Sequence, residues 1–388
     1  MQLVVHIDEP WQKESVEQIT RRFEASNPGV KILVKVVPSG EIRTALFNGE
    51  SDADLVQLFN GDIVDCSRNE LLLDLNIWLR QNQELKSLFH PSIFRLAETE
   101  GRVAVLPLSA SMKGIFYNKQ WFDKAGIPYP LEGWTWNDFE EIAVRLQRVN
   151  VREGDGRFAA RISFHHEYMG LLLLTAGTDW LSPDRKRASG YTNSVKSVQA
   201  VTWAADLVRK HQVAGATQAY FLNSDLLRNE SGMILDYYNM LHEFQPHLKD
   251  DLGVAGLPFF DEGNRVNEPW VCGFGISSKT GNSELAWSLL CELTCTSNEL
   301  TRLVTEGSIA PLRSVYSEAG HDRDPLRNTI LAELANSAQL PVSAGNIALY
   351  ALLDQYVNPA LARIVFEGAD VKETLDDLAI VLDGKLQD

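Results

Sequence analysis

The residues of this chain that could do chemistry do not fall into catalytic spacings. No GxSxG, HExxH or phosphate-loop pattern occurs, and the GFG at 273–275 is too short to cradle a nucleotide. The paired carboxylates Glu140-Glu141 and Asp376-Asp377 lie in segments whose opposite helical face is apolar, so they read as solvated faces. The four cysteines, Cys66, Cys272, Cys291 and Cys295, contain no CxxC pair of the kind that cages zinc. Cys291 and Cys295, four apart in the helix-like SELAWSLLCELTC, would share one helix face with parallel side chains, which is poor disulfide geometry. All four read as small apolar residues. No cofactor and no resident metal is expected.

Aromatic rings are the more conspicuous resource. Residues 115–136, IFYNKQWFDKAGIPYPLEGWTW, hold seven of them: Phe116, Tyr117, Trp121, Phe122, Tyr129, Trp134 and Trp136. Thr135-Trp136-Asn137-Asp138 has the form of a capping box, and Phe139, Ile142, Ala143, Leu146 and Val149 behind it make an apolar helical stripe. The seven rings therefore read mostly as packing around a helix start and a proline turn.

The elements that position these residues follow from periodicity. LVVHI at 3–7 reads as a strand, 13–25 as a helix, VKILVKVV at 30–37 as a strand, 41–48 as a helix and LVQLF at 55–59 as a buried strand. This β-α-β-α-β rhythm implies a parallel, helix-covered sheet, in which ligands sit beyond the carboxyl ends of the strands. The loops in question are Asp8–Gln12 and Asn60–Asp62. Further on, RVAVLPL at 102–108 and GMILDYY read as strands, GLLLLTAG at 170–177 and residues 195–211 as helices, and the last 100 residues as mainly helical. In the final helix Val371, Leu375, Leu378 and Leu382 share one face.

The bulk properties narrow the partners. A chain of 388 residues with 45% hydrophobic content favours two lobes with full cores. A net charge of −16 argues against a nucleic-acid partner. No apolar run approaches the length of a membrane span, and the first residues lack the pattern of a signal peptide. Either a cytoplasmic protein or an exported one lacking its signal segment is consistent with that reading.

Taken in order, several stretches together resemble a known family. FEASNPGVKI at 23–32, DLVQLFNGDIVDCSRNELLLDL, VAVLPLSASMKGIFYNKQWFDKAGIPYPLEGWTWNDFEEIA, GMILDYYNML, GFGISSKTGNSELAW, SIAPLRSVY and FEGADVKETLDDL are similar to segments of the extracellular solute-binding proteins of family 1. These are the maltose- and multiple-sugar-binding receptors of ABC importers. The resemblance implies an α/β, two-lobe periplasmic-binding-protein-like fold of type II, with discontinuous lobes joined by hinge crossings. The first lobe is expected over 1–109 and 271–316, the second over 110–270 and 317–388. It also implies a monomeric receptor that is not an enzyme. Such a receptor sits outside the cytoplasm, in the periplasm or on the outer membrane face as a lipoprotein, and closes on a carbohydrate and delivers it to permease subunits.

A sugar presents hydroxyl edges and apolar C–H faces, so its site needs planar polar groups beside aromatic rings. At the expected cleft these are Glu9 and Trp11; Phe59, Asn60 and Asp62; Ser109 and Ser111 on the crossover; His166, Glu167 and Tyr168 ahead of the buried helix; Tyr237, Tyr238 and Asn239 after GMILD; Trp270; and Tyr350. The resemblance places a ligand-contacting polar group at Ser111, an aromatic platform at Tyr237-Tyr238, and a stacking ring at Tyr350. Simpler roles stand beside these. Trp11 could staple a helix, Asn60 and Asp62 could cap one, Tyr350 could belong to a buried face, and His165 and His166 could be ordinary core or surface histidines. An extended Tyr237-Tyr238 pair alternates faces, so one ring at most enters the cleft, and Tyr238 is the favoured one. Two alternatives remain: a ferric-ion receptor using the adjacent tyrosines as phenolate ligands, and a glycan-processing enzyme using Glu9, Asp62 and Glu167.

Overall fold

The computed structural model describes residues 1–219, 222–296, 300, 309–337, 341 and 346–387. The first residue of the SIAPLRSVY stretch and parts of the expected helical tail lie outside them. The chain divides into two compact units, one built mainly from Met1–Ser111 with Pro269–Ala335, the other from Met112–Glu268 with Ile347–Asp388.

In the first unit, β1 (Gln2–Ile7) is flanked by β2 (Lys31–Val36) and β3 (Leu55–Phe59), parallel to both. The helices Lys13–Ser26 and Ser39–Asn48 supply the crossovers. The short apolar runs form strands because they are covered by these helices, which bury Val16, Ile19 and Phe23 on the first and Ile42 and Leu46 on the second. A two-stranded ribbon, β4 (Glu98–Thr99) and β5 (Arg102–Val103), precedes β6 (Leu106–Asn118). The expected strand at 102–108 is thus broken, and its second half belongs to a strand of 13 residues. Every residue of β6 is buried. A strand covered on both faces shows no alternation that would mark its end. After the second unit is built the chain returns as β11 (Pro269–Ile276), antiparallel to β3. Its glycines are required by that position: a Cβ at Gly273 would lie 2.6 Å from the Leu106 carbonyl oxygen, and one at Gly275 2.8 Å from that of Ala104.

In the second unit β6 pairs antiparallel with β9 (Ser231–Tyr237) on one side and β10 (Leu252–Ala255) on the other. Beyond β9 lie β7 (Phe158–Ser163) and β8 (Ala214–Thr217), with β7 parallel to both neighbours. The capping box forms as read from the sequence. Thr135 Oγ1 accepts from Asp138 N, and Asp138 Oδ2 accepts from Thr135 N at 2.7 Å, opening the helix Trp136–Asn150. Of the seven rings in 115–136, six are buried and only Tyr129 is exposed, so that stretch is packing. The terminal helix Val371–Lys385 buries Val371, Leu375, Leu378 and Leu382 against the same core.

One helix begins earlier than expected. The buried helix spans His166–Thr175, with His165 as its cap. His166, Glu167 and Tyr168 lie in its first turn rather than in a loop ahead of it.

Candidate functional site

The candidate residues fall into two sets, one on each unit. In the first unit a buried polar chain ties the Asp8–Gln12 loop to the sheet. Gln57 of β3 accepts from Asp8 N at 3.0 Å and donates to Gln12 Oε1 at 2.8 Å and to Cys272 Sγ at 3.3 Å. That network fixes the loop carrying Glu9 and Trp11. Trp11 is 52% exposed, and its indole N–H donates to Glu9 Oε2 at 3.0 Å. Phe59 and Trp270, at the adjoining ends of β3 and β11, have ring centroids 5.4 Å apart with planes tilted by 40°.

Asn60 and Asp62 open the helix Asn60–Arg68, and neither caps it, the cap position being Phe59. Asn60 has a positive φ of 34°, and its Oδ1 accepts from Val271 N at 2.6 Å, so it fastens β11 to the end of β3. Asp62 lies 3.3 Å from Arg43 Nε, and Asp65 accepts from Arg43 Nη2 at 2.9 Å. Ser109 and Ser111 are buried in β6, and Ser111 Oγ has no hydrogen-bond partner among the described residues.

In the second unit the candidates converge on one carboxylate. Lys113 of β6 is buried, and its Nζ lies 2.6 Å from Glu167 Oε1 and 3.4 Å from Glu268 Oε2. Tyr237 donates its hydroxyl to Glu167 Oε1, and Tyr350 donates to Glu167 Oε2 at 3.1 Å. The ammonium also faces the Tyr237 ring at 4.1 Å and the Tyr168 ring at 5.4 Å. Beneath this cluster Asp236 is fully buried. It accepts from Tyr237 N at 2.8 Å, Leu222 N at 2.9 Å and Tyr168 Oη at 3.3 Å. Burial pushes its carboxyl up to about 6, and burial raises Glu268 as well. Tyr168 is therefore a strut under the cluster rather than a surface ring.

The tyrosine pair is resolved against the sequence-based preference. Tyr238 is 1% exposed, donates to Ala255 O at 2.9 Å, and packs edge-on against Phe116. It is core, and Tyr237 is the ring in the polar cluster. With one hydroxyl on Glu167 and the other on a backbone carbonyl, the two phenols do not converge on one ion, which removes the basis of the ferric-ion alternative. Asn239 follows, its Oδ1 buried without a hydrogen-bond partner among the described residues. Tyr350, on the helix Ile347–Glu367, is 40% exposed while Leu349 and Leu353 beside it are buried. Its ring meets His166 edge-on at 4.7 Å. His166 is buried, which pushes its imidazole down to about 4.

Sequence reasoning missed Lys113, Asp236 and Glu268. A lysine within SASMKGIF, a run otherwise free of charge, was the available signal: a buried cation demands a carboxylate partner.

The fold is that of the two-lobe periplasmic solute-binding proteins. The chain belongs to the family described as bacterial extracellular solute-binding protein, whose model matches residues 7–294. A chain of Brucella abortus (strain 2308), itself assigned only provisionally as a binding protein, is 24% identical over 287 residues, covering 71% of this chain and 67% of that one. Among solved structures, the sugar-binding protein MalE from Xanthomonas citri superimposes with a TM-score of 0.79 at 16% identity, covering 100% of this chain and 98% of that one. UgpB from Mycobacterium tuberculosis in complex with glycerophosphocholine gives 0.75 at 17% identity, over 100% and 98%. The family and fold are those of transport binding proteins rather than enzymes.

Proposed function

We propose that this chain is the substrate-binding receptor of an ABC importer and that its ligand is a carbohydrate, in particular an oligosaccharide. The observation that carries the reading is the Glu167 carboxylate, held by Lys113, Tyr237 and Tyr350 with the Tyr350 ring partly exposed beside it. An oriented carboxylate accepts from paired sugar hydroxyls, and a neighbouring ring covers a C–H face. The family supports a receptor role, and the likeness to a sugar-binding MalE supports the ligand class. In this reading the Glu9, Trp11, Phe59 and Trp270 set contributes to the same ligand by closure of the two units. The protein works as a monomer outside the cytoplasm and passes its cargo to permease subunits.

A thermal-shift screen against mono- and oligosaccharides, with glycerophosphocholine as a comparison, tests the ligand class, since a ligand that binds only the folded state raises its apparent stability. Small-angle scattering with the strongest hit should show a smaller radius of gyration. A screen in which glycerophosphocholine stabilises the protein and no saccharide does would overturn the carbohydrate assignment.

A further inference from the structure

We propose that His165, His166 and Asp354 form a binding site for one divalent late-transition ion of the zinc class. One ligand atom from each residue lies within 4.8 Å of the other two. His165 Nε2 and His166 Nε2 stand 3.3 and 3.9 Å from the same oxygen, Asp354 Oδ1. Donors held at about 2.1 Å from a tetrahedral ion are about 3.4 Å from one another, so both separations are close to what a shared ion requires.

A second observation points to a ligand. His166 is only 3% exposed, and its Nε2 has no hydrogen-bond partner among the described residues. A buried ring nitrogen left unmatched is costly. An ordinary hydrogen bond from His165 to Asp354 accounts for His165 alone and leaves that atom without a role. The position of the nitrogen, aimed at the carboxylate yet too far to bond it, is accounted for by an ion between them.

The surroundings suit an ion. Asn358 donates to Asp354 Oδ1 at 2.7 Å and accepts from His166 N at 2.7 Å, so one side chain orients both the carboxylate and the start of the helix. Asp354 is half exposed, leaving room for water on the remaining coordination position. Two imidazoles and one carboxylate suit zinc, cobalt or nickel, whereas calcium and magnesium take oxygen donors. The proton balance is simple. His165 Nδ1 accepts from Glu167 N at 3.3 Å, which places the proton of the neutral ring on Nε2. On ion binding that proton moves to Nδ1, at the expense of the long cap contact.

The experiment uses tag-free chain stripped with a chelator and is run without sugar, so it is independent of the carbohydrate reading. Zinc is titrated in competition with a chromophoric chelator, and cobalt serves as the spectroscopic probe. The expected result is one equivalent of either ion, with visible cobalt bands. Asp354→Asn should weaken binding at least tenfold and abolish the bands while circular dichroism stays native, because Asp354 is exposed. His166→Asn should also lose the bands. Stoichiometric binding that survives Asp354→Asn and His166→Asn unchanged would overturn the proposal, as would a wild-type chain that fails to compete with the chelator.

Discussion

Lys113 Nζ lies 2.6 Å from Glu167 Oε1, joining residues 54 apart on a fully buried strand and a helix start. Glu268 lies at 3.4 Å from the same ammonium, so one buried cation stands between two partly buried carboxylates. Lys113→Met leaves Glu167 and Glu268 uncompensated. It should cost ~3–5 kcal/mol, as removal of one partner from a buried pair does. Urea unfolding midpoints measure this, and Lys113→Met combined with Glu167→Gln should recover part of the loss. A midpoint unchanged by Lys113→Met would show that the pair carries no weight in folding.

Tyr238 should behave in the opposite way to Tyr237 and Tyr350, whose hydroxyls both bond Glu167. Tyr238→Ala removes a core ring that packs on Phe116 and bonds Ala255 O, and should destabilise by ~3–5 kcal/mol. Tyr350→Ala should leave the melting temperature nearly unchanged and weaken carbohydrate binding by about 1–2 kcal/mol, a five- to thirtyfold rise in Kd. Tyr237→Phe, which keeps the ring and removes the hydroxyl on Glu167, should also weaken binding. Calorimetry of both variants with the same saccharide decides, and unaltered affinity in each would remove them from the site.

Gly114 marks a close approach in this core. A Cβ there would collide with the Tyr238 hydroxyl and ring, and the rigid ring is pinned by Ala255. Gly114→Ala should therefore destabilise by ~1–3 kcal/mol through overpacking. The clash should shrink when Tyr238 is shortened, so the pair Gly114→Ala with Tyr238→Leu should be less destabilised than the sum of the single variants. Strict additivity in a double-mutant cycle would contradict the contact.

Asp236 gives a pH test with a defined sign. Its folded value, raised by burial to about 6, exceeds the ordinary 3.8 of an aspartate. The folded state therefore binds more protons across that window, and this residue's contribution is fully present below about pH 3.8 and is lost as pH rises through about 6. The loss is on the order of 1–3 kcal/mol. Asp236→Asn, which does not ionise, should be less stable than wild type at low pH, having given up an acceptor, yet should lack this decline. Parallel stability profiles of the two proteins between pH 4 and 7.5 would refute the assignment.

Local features were legible in the sequence because their causes are local. The capping box at Thr135 and Asp138, the LVQLF strand and the apolar stripe of the last helix were read within a residue or two, since each depends on neighbours three or four positions away or on alternation. The family was legible for a different reason: many weak motifs fall in order along the chain, and the matched region runs from residue 7 to 294.

The site was legible only in outline. The residue types at strand ends marked where ligand groups would gather, but not which group each would bond. Whether Tyr237 or Tyr238 joins the polar cluster depends on β9 pairing with β6, which sets Tyr237 opposite Lys113. Asp62 looked like a cap until Arg43, from the preceding helix, took its carboxylate. The length of β6 and the partners of β10 and β11 were equally hidden, because strands buried on both faces carry no alternation and pair with segments more than 100 residues away. By itself the sequence determined the local elements, the acidic surface and the family. The tertiary structure alone decided which buried charges meet, because a lysine's partners at 54 and 155 residues' distance are chosen by packing rather than by spacing.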